Sequence, residues 1–183
     1  MKKEQLQSVD EILEERKEKL YRRREFRRFL VECVVLVALV YAAFHYVIGL
    51  AVVSGESMEP GLTDGELVLF YRLDESYQTG DLVIIHRADG VEYIKRVVAE
   101  PGDVVELSEE GALLVNGVQD ATLTAVGKTE ATSEDVTYPY TVPENSYFAL
   151  GDNRENSKDS RSFGAVTADD ITGRVFVYMG MTR

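Results

Sequence analysis

The chain has 183 residues, with 32 Asp and Glu against 20 Lys and Arg, which gives a formal net charge of −12. A chain this acidic does not offer the basic face that binding to nucleic acid requires, so we expect no nucleic-acid partner. It contains one cysteine and two histidines, which excludes an intrachain disulfide and disfavours a zinc site with the usual ligands. A calcium site built of carboxylates alone is left open, although no EF-hand spacing is present. Nothing in the sequence implies a metal or an organic cofactor.

Residues 1–28 differ from the rest of the chain in charge. They carry ten Lys and Arg against seven Asp and Glu, so this segment is basic while the remaining chain is strongly acidic. Acidic and basic side chains recur four residues apart, which favours a solvated helix. We predict a cytoplasmic basic helix that can contact anionic lipid head groups through its arginine cluster. The cluster consists of Arg22, Arg23, Arg24, Arg27 and Arg28.

An uncharged apolar run extends from residue 33 to residue 53. As a helix, a run of this length spans about 30 Å, the thickness of a bilayer's hydrocarbon core. We predict a transmembrane helix over residues 29–53 in the plasma membrane. Because the arginines precede the span, the N-terminus is expected in the cytoplasm and the rest of the chain outside. The alternatives are a buried core helix and a signal peptide cleaved at Gly49-Leu50-Ala51.

Residues 54–183 have the pattern of an antiparallel β domain. Short apolar runs are separated by turn signals, of which Asn116-Gly117 predicts a two-residue hairpin. We predict a mainly β fold, an antiparallel sandwich or coiled barrel, with residues 108–142 as a small β insert or flap. Residues 121–137, rich in Thr, Ala, Glu and Ser, are predicted to be a surface excursion. The predicted strands are 67–72, 82–87, 93–99, 104–107, 113–115, 147–150 and 175–179.

Three segments contain residue types that could carry chemistry. Ser57 lies in a predicted turn between Gly55 and Pro60, where a serine is usually only a turn residue. Lys95 lies in an apolar strand, and a lysine there ordinarily faces water. An ordinary lysine is neutral about once in 2500 molecules at pH 7, but burial lowers its pKa and lets the amine accept a proton from a hydroxyl. The third segment, residues 150–164, has the composition of a solvated loop; if it were buried, its charges would need partners.

In chain order, these segments resemble the bacterial type I signal peptidases. The shared features are a membrane span, Ser-Gly-x-Ser-Met-x-Pro, Gly-Asp-Leu-Val, Tyr-Ile-Lys-Arg-Val-x-Ala-x-Pro-Gly-Asp and Gly-Asp-Asn-Arg-x-Asn-Ser-x-Asp-Ser-Arg. The similarity covers residues 30 to about 175, without 121–137. It implies a membrane-bound serine endopeptidase with a Ser–Lys dyad, which removes signal peptides from secreted precursors by cleaving after a small-x-small motif. Its partners would be such precursors and the lipid bilayer.

The resemblance also implies roles for individual residues. Ser57 matches the nucleophile, Lys95 the general base, and Ser157 the hydroxyl that helps to orient that lysine. Gly55 occupies a position where some members carry a serine that helps to bind the oxyanion, so a side-chain donor is missing here and the Ser57 N–H is expected to serve. Two supporting ion pairs are implied, Arg96 with Asp152 and Asp159 with Arg161. Met58 is a candidate for lining a pocket that takes a small substrate side chain.

Three other functions compete with this interpretation. Ser57 could form a triad with His86 and an aspartate, which the activity of a His86→Ala variant would test. A self-cleaving repressor would use a similar Ser and Lys, but the apolar span and the acidic body disfavour that soluble, DNA-binding class. The third alternative is a membrane-anchored β domain that only binds a partner, and it predicts that Ser57→Ala changes no measurable property.

Overall fold

The computed structural model describes residues 2–87 and 90–179, which divide into two compact units at the junction of His45 and Tyr46. The first unit is helical. Helix α1 runs from Lys2–Ala42 and continues into a short π-helix, Ala43–Val47. By length and composition, the stretch Lys19–Val47 could cross a membrane, and none of its most apolar window is buried. The helix continues past residue 28, so the predicted boundary between residues 28 and 29 does not coincide with a break.

The predicted helix over residues 29–53 is wrong at its C-terminal end. Strand β1, Ile48–Val52, pairs antiparallel along its whole length with β2, Leu67–Tyr71. Hydropathy alone cannot separate the end of an apolar helix from an apolar strand. Gly49 allows this pairing, because the ring of Phe70 occupies the space that a side chain at residue 49 would need.

The second unit contains the remaining elements. All seven predicted strands are present, each with ends shifted by a few residues at most. β7, β8 and β10 were not predicted because two-residue strands have no periodicity to detect. The strands after β2 are β3 Leu82–His86, β4 Glu92–Ala99, β5 Val104–Leu107, β6 Leu113–Val115, β7 Val118–Gln119, β8 Tyr140–Thr141, β9 Ser146–Leu150, β10 Val166–Thr167 and β11 Ile171–Met179; a short helix, α2 Ser160–Phe163, and a 3₁₀ turn, Ala168–Asp170, lie between the last strands.

The strands form two sheets in which every strand pairing is antiparallel, which confirms the predicted mainly β fold. The larger sheet has the order β1-β2-β11-β3-β4-β9-β10, and the smaller has the order β7-β6-β5-β8. Three strands of the smaller sheet, β6, β7 and β8, lie within the predicted insert at 108–142, whereas β5, which pairs with both β6 and β8, precedes it. Asn116 and Gly117 join β6 to β7 with φ of 53° and 76°, the positive values that a two-residue hairpin turn requires.

Two apolar clusters position the functional loops. One joins the sheets, since Phe148 and Leu150 of β9 pack with Val105 and Leu113 of the smaller sheet. Burial of each such side chain contributes roughly 1.5–3 kcal/mol. The other lies under the loop between β1 and β2. It consists of Val53, Met58, Leu62, Val68 and Leu82.

Residues 121–137 form no helix or strand, and most of their side chains are exposed. This agrees with the predicted surface excursion. Thr129 and Val136 are the buried exceptions.

Candidate active site

Ser57 lies in the loop between β1 and β2, and the loop is anchored from beneath. The neighbouring Met58 and Leu62 are buried in the core, and the Leu62 N–H donates to the Met58 carbonyl at 2.8 Å. From the side, the Asn153 N–H donates to the Ser57 carbonyl at 3.1 Å. The half-buried Ser57 side chain is therefore carried by a fixed backbone.

Lys95 lies in β4, between β3 and β9, and is only 2% exposed. Its Nζ is 2.6 Å from Ser57 Oγ. Burial lowers the pKa of Lys95 from 10.5 to about 8; the carboxylates of Asp159 and Asp152 partly oppose this, and the Arg161 guanidinium adds to it. About one lysine in ten is therefore a neutral amine at pH 7, in contact with a hydroxyl whose proton it can accept.

The pair between Arg96 and Asp152 follows from strand register. Arg96 of β4 lies opposite Leu150 of β9, so Asp152, two residues beyond the end of β9, comes alongside it. Arg96 Nε donates to Asp152 Oδ1 at 2.8 Å and its NH2 group donates to Oδ2 at 2.7 Å. Asp152 is fully buried, and a buried carboxylate without such a partner would be strongly destabilising.

The pair between Asp159 and Arg161 is buried on both sides. Arg161 Nε and NH2 donate to the two carboxylate oxygens of Asp159 at 2.9 and 2.8 Å. The same carboxylate caps α2 by accepting from the Arg161 N–H, and it accepts from the Gly151 N–H at 3.0 Å. Asp159 thus connects the start of α2 to the end of β9.

Ser157 and Gly151 lie next to each other beside the Ser57 loop. A side chain at residue 151 would overlap both the Ser157 side chain and the Ser57 carbonyl, so only glycine allows this approach. Within the described part of the chain, the buried Ser157 hydroxyl has no hydrogen-bond partner. The structure therefore brings Ser157 to the site without a bond to Lys95.

Gly55 has a φ of +90°, a conformation that side chains rarely adopt. Its N–H donates to Asp64 Oδ1 at 2.8 Å, so this amide serves the loop's own conformation.

Two cavities adjoin Ser57, and Ser57, Tyr93 and Lys95 line both. The smaller has a volume of about 120 Å³. Its apolar walls include Ala51, Val53, Met58, Ile84 and Ile94. The larger has a volume of about 680 Å³. Its lining includes Glu56, Glu59, Asp64, Glu92 and Lys158.

His86 does not belong to this arrangement. It ends β3 with its side chain 59% exposed, and its Nδ1 lies 4.0 Å from Glu92 Oε1. It lines neither cavity that contains Ser57. Among the described residues, no group of three or more His, Cys, Asp or Glu could hold a metal ion.

Sequence reasoning missed several contacts of the polar loop at 150–164. Arg154 forms a buried ion pair with Asp120, with 2.7 Å between NH2 and Oδ2. Asn153 and Asn156 hold the Ser57 loop through contacts to Glu56. The available signal was the density of hydrogen-bonding groups, which composition alone does not distinguish from a solvated loop.

Comparisons with known proteins show the family to which the chain belongs. The family model described as signal peptidase, peptidase S26, matches residues 26–179. Signal peptidase IB of Staphylococcus aureus (strain Mu50) is 31% identical over 172 residues, 84% of this chain and 88% of that protein. Signal peptidase I S of Bacillus subtilis (strain 168) is 35% identical over 161 residues, 81% of this chain and 84% of that protein. A crystal structure of a signal peptidase I from Enterococcus faecalis V583 is 32% identical, covering 55% of this chain and 97% of that one, with a TM-score of 0.45. The chain belongs to the peptidase S26 family, the bacterial type I signal peptidases.

Proposed function

We propose that this chain is a membrane-anchored serine endopeptidase that removes signal peptides by cleaving after a small-x-small motif, with Ser57 as nucleophile and Lys95 as general base. The observation that carries the proposal is the 2.6 Å contact between the buried amine of Lys95 and the hydroxyl of Ser57. A nucleophile and a base at hydrogen-bond distance, the base in a water-poor setting, are the minimum that acyl transfer needs.

The reaction begins when neutral Lys95 accepts the hydroxyl proton of Ser57 as Oγ attacks the scissile carbonyl carbon. The Ser57 N–H donates to the resulting oxyanion, since residue 55 is a glycine and offers no side-chain donor. The Lys95 ammonium then donates its proton to the leaving amine, and the mature protein departs from an acyl-enzyme. A water molecule, deprotonated by Lys95, attacks the ester carbonyl and releases the signal peptide.

The arrangement of charges supports these steps. The pairs Arg96–Asp152 and Asp159–Arg161 fix the loop that carries Ser157, and we assign Ser157 the role of orienting the lysine. No organic cofactor is required, because nucleophile, base and oxyanion donor all come from the chain.

The smaller cavity supports the choice of substrate. Its volume of about 120 Å³ has room for a small side chain, and Ala51, Met58 and Ile84 give it apolar walls in addition to its polar lining. A large or charged side chain would have to displace buried residues such as Met58 and Ile84. This is the selectivity that a small-x-small cleavage site requires.

The N-terminal stretch supports anchoring. Lys19–Val47 is long and apolar enough to cross a bilayer, and Ser57 follows it closely in sequence. The arginine cluster precedes the apolar part, so we assign the N-terminus to the cytoplasm and the β unit to the outer side of the plasma membrane. A precursor's cleavage site would emerge at that surface.

The test uses the full-length protein in detergent with a purified precursor whose signal peptide ends in Ala-x-Ala. Wild type, Ser57→Ala, Lys95→Ala and His86→Ala are compared, and products are identified by mass spectrometry. We expect cleavage after the second Ala by wild type and His86→Ala, and none by the other two. Cleavage that survives Lys95→Ala but not His86→Ala would instead support a triad, and no wild-type cleavage would support a binding domain.

A further inference from the structure

Arg154 connects the excursion after β7 to the loop that carries Ser157 and Asp159. We propose that Arg154, held by Asp120 and Thr129, is a positioning residue for the Ser57–Lys95 site, and that it acts by fixing the Gly151 peptide. The inference rests on the proposed function for its catalytic consequence, but its structural basis is independent of any substrate.

All three donor groups of Arg154 have partners, although the residue is only 3% exposed. NH2 donates to Asp120 Oδ2 at 2.7 Å, and NH1 donates to Thr129 Oγ1 at 3.1 Å. Nε donates to the Gly151 carbonyl at 3.1 Å. The guanidinium therefore joins the side chains of Asp120, directly before the excursion, and Thr129, within it, to one peptide of the active-site loop.

The backbone reinforces the same connection. The Val126 N–H donates to the Asp152 carbonyl at 2.8 Å, and the Arg154 N–H donates to the Val126 carbonyl at 2.9 Å. These bonds form a parallel bridge between Val126 and Asn153. An otherwise irregular, mostly exposed segment is thus attached to the loop through its backbone as well as through Arg154.

Gly151 transmits the restraint to the site. Its N–H donates to Asp159 Oδ2 at 3.0 Å, and its Cα lies against both the Ser157 side chain and the Ser57 carbonyl. A shift of the Gly151 peptide would therefore move the surroundings of both Ser57 and Ser157. Misplacement of reacting groups by about 1 Å can cost about 10²-fold in rate.

Removing the negative charge of Asp120 should release this restraint. Asp120 is 9% exposed and Arg154 is less so, so Arg154 would remain as a buried cation lacking its counter-charge. The guanidinium would then turn toward water, and the Gly151 carbonyl would lose its donor. Water would gain access to Lys95 from the side of this loop.

The pKa of Lys95 can show whether water gains access to this site, and measuring it does not require enzymatic activity. The charged groups that influence Lys95 are Asp152, Asp159 and Arg161. Its Nζ also lies 5.9 Å from the centre of the Tyr93 ring, and the Nζ of Lys158 lies at the same distance from that ring. Burial is the largest influence on its pKa. Admitting water should therefore raise the pKa of Lys95 from about 8 toward 10.5.

The experiment compares wild type with Asp120→Asn and with Thr129→Val. Thr129→Val removes only the hydroxyl that accepts from Arg154, so it is the variant to use if Asp120→Asn does not fold. Asp74→Asn is the control, because it also replaces the aspartate of an Asp–Arg pair, 2.8 Å from Arg174 Nε to Asp74 Oδ2, but at a more exposed place away from this loop. The full-length proteins are labelled with ¹³C at lysine Cε and titrated by NMR in detergent, with the Lys95 signal assigned by its loss in Lys95→Met. The kcat and KM for precursor cleavage and the thermal midpoint are measured in parallel.

We expect Asp120→Asn and Thr129→Val both to raise the pKa of Lys95 and to lower kcat about tenfold or more, with KM nearly constant. Asp74→Asn should change only the thermal midpoint. A Lys95 pKa that is unchanged in both Asp120→Asn and Thr129→Val would overturn the proposal, even if their stability falls. Because the titration needs no turnover, a wild type that fails to cleave would refute the proposed function while leaving this inference open to confirmation or refutation by NMR.

Discussion

The Nζ of Lys95 lies 2.6 Å from the Oγ of Ser57, and the lysine side chain is almost wholly removed from water. Two opposing influences set the charge of this amine. Burial favours the neutral form, while the nearby carboxylates of Asp152 and Asp159 favour the ammonium, and the balance is a pKa of about 8. Each carboxylate is itself paired with an arginine, and this pairing reduces the amount by which the carboxylate raises the pKa of Lys95.

This balance predicts the pH dependence of cleavage. Because the neutral amine is the proposed base, kcat/KM should rise about tenfold per pH unit below pH 8 and level off above it. The measurement is kcat/KM from about pH 6 to about pH 10 with circular dichroism at each pH as a control for unfolding. A rate that is flat below pH 8 while the fold is intact would contradict Lys95 as the base.

The same balance predicts that Lys95→Met stabilises the protein. The folded state holds fewer protons than the unfolded state between the folded pKa of about 8 and the unfolded value of 10.5, so wild-type stability should rise with pH in this window. Below pH 8 the buried ammonium costs about 3 kcal/mol, which methionine of similar size avoids.

The Met variant should therefore be inactive but unfold at a higher temperature than wild type at pH 7, with the gap narrowing as the pH approaches 10.5. Thermal midpoints followed by circular dichroism test this. Ser57→Ala is the control, since it removes activity without removing the buried charge. A Met variant less stable than wild type at pH 7 would show that the buried ammonium of Lys95 does not destabilise the folded state.

The sequence predicted the parts of this protein that depend on local pattern. The alternating strands and the turn at Asn116-Gly117 were found because their period and turn chemistry are local. The end of the apolar helix was missed, because residues 48–52 are strand only through their pairing with β2, a long-range contact that the local apolar pattern does not reveal. Ser57 and Lys95 were predicted from their motifs, and the structure places them 2.6 Å apart. The link from Arg154 to Asp120, in contrast, joins residues 34 apart and has no local signal.

Gly151→Ala should abolish most activity. Its new methyl group would overlap the Ser157 side chain and the Ser57 carbonyl, so the two loops would have to separate. We expect kcat to fall by about 10²-fold, as for a comparable misplacement of reacting groups. Single-turnover cleavage of a precursor measures the effect.

Gly117→Ala is the matched control for Gly151→Ala. Residue 117 has open space around its Cβ position but a φ of +76°, so alanine there strains the β6–β7 turn by roughly 1–2 kcal/mol without touching the site. It should lower the thermal midpoint and leave kcat unchanged. Equal losses of kcat in the two variants would mean that Gly151 acts only through stability.

Ser157→Ala separates a role in catalysis from a role in structure. The Ser157 hydroxyl is buried without a hydrogen-bond partner among the described residues, so removing it breaks no bond of the folded state. Stability should therefore be unchanged or slightly increased. If the hydroxyl orients Lys95 during the reaction, kcat should nevertheless fall by about tenfold or more, with KM nearly constant.

Ser160→Ala provides the opposite pattern in the same loop. The Ser160 hydroxyl is fully buried and accepts a hydrogen bond from the Ala149 N–H at 3.0 Å, so its loss leaves a buried donor unsatisfied at a cost of about 1–3 kcal/mol. This variant should unfold at a lower temperature but retain kcat well below its transition. Ser157→Ala is thus expected to lower the rate but not the stability, and Ser160→Ala to lower the stability but not the rate. A fully active Ser157→Ala variant would show that Ser157 has no part in the mechanism and that Lys95 is oriented by Ser57 and its packing alone.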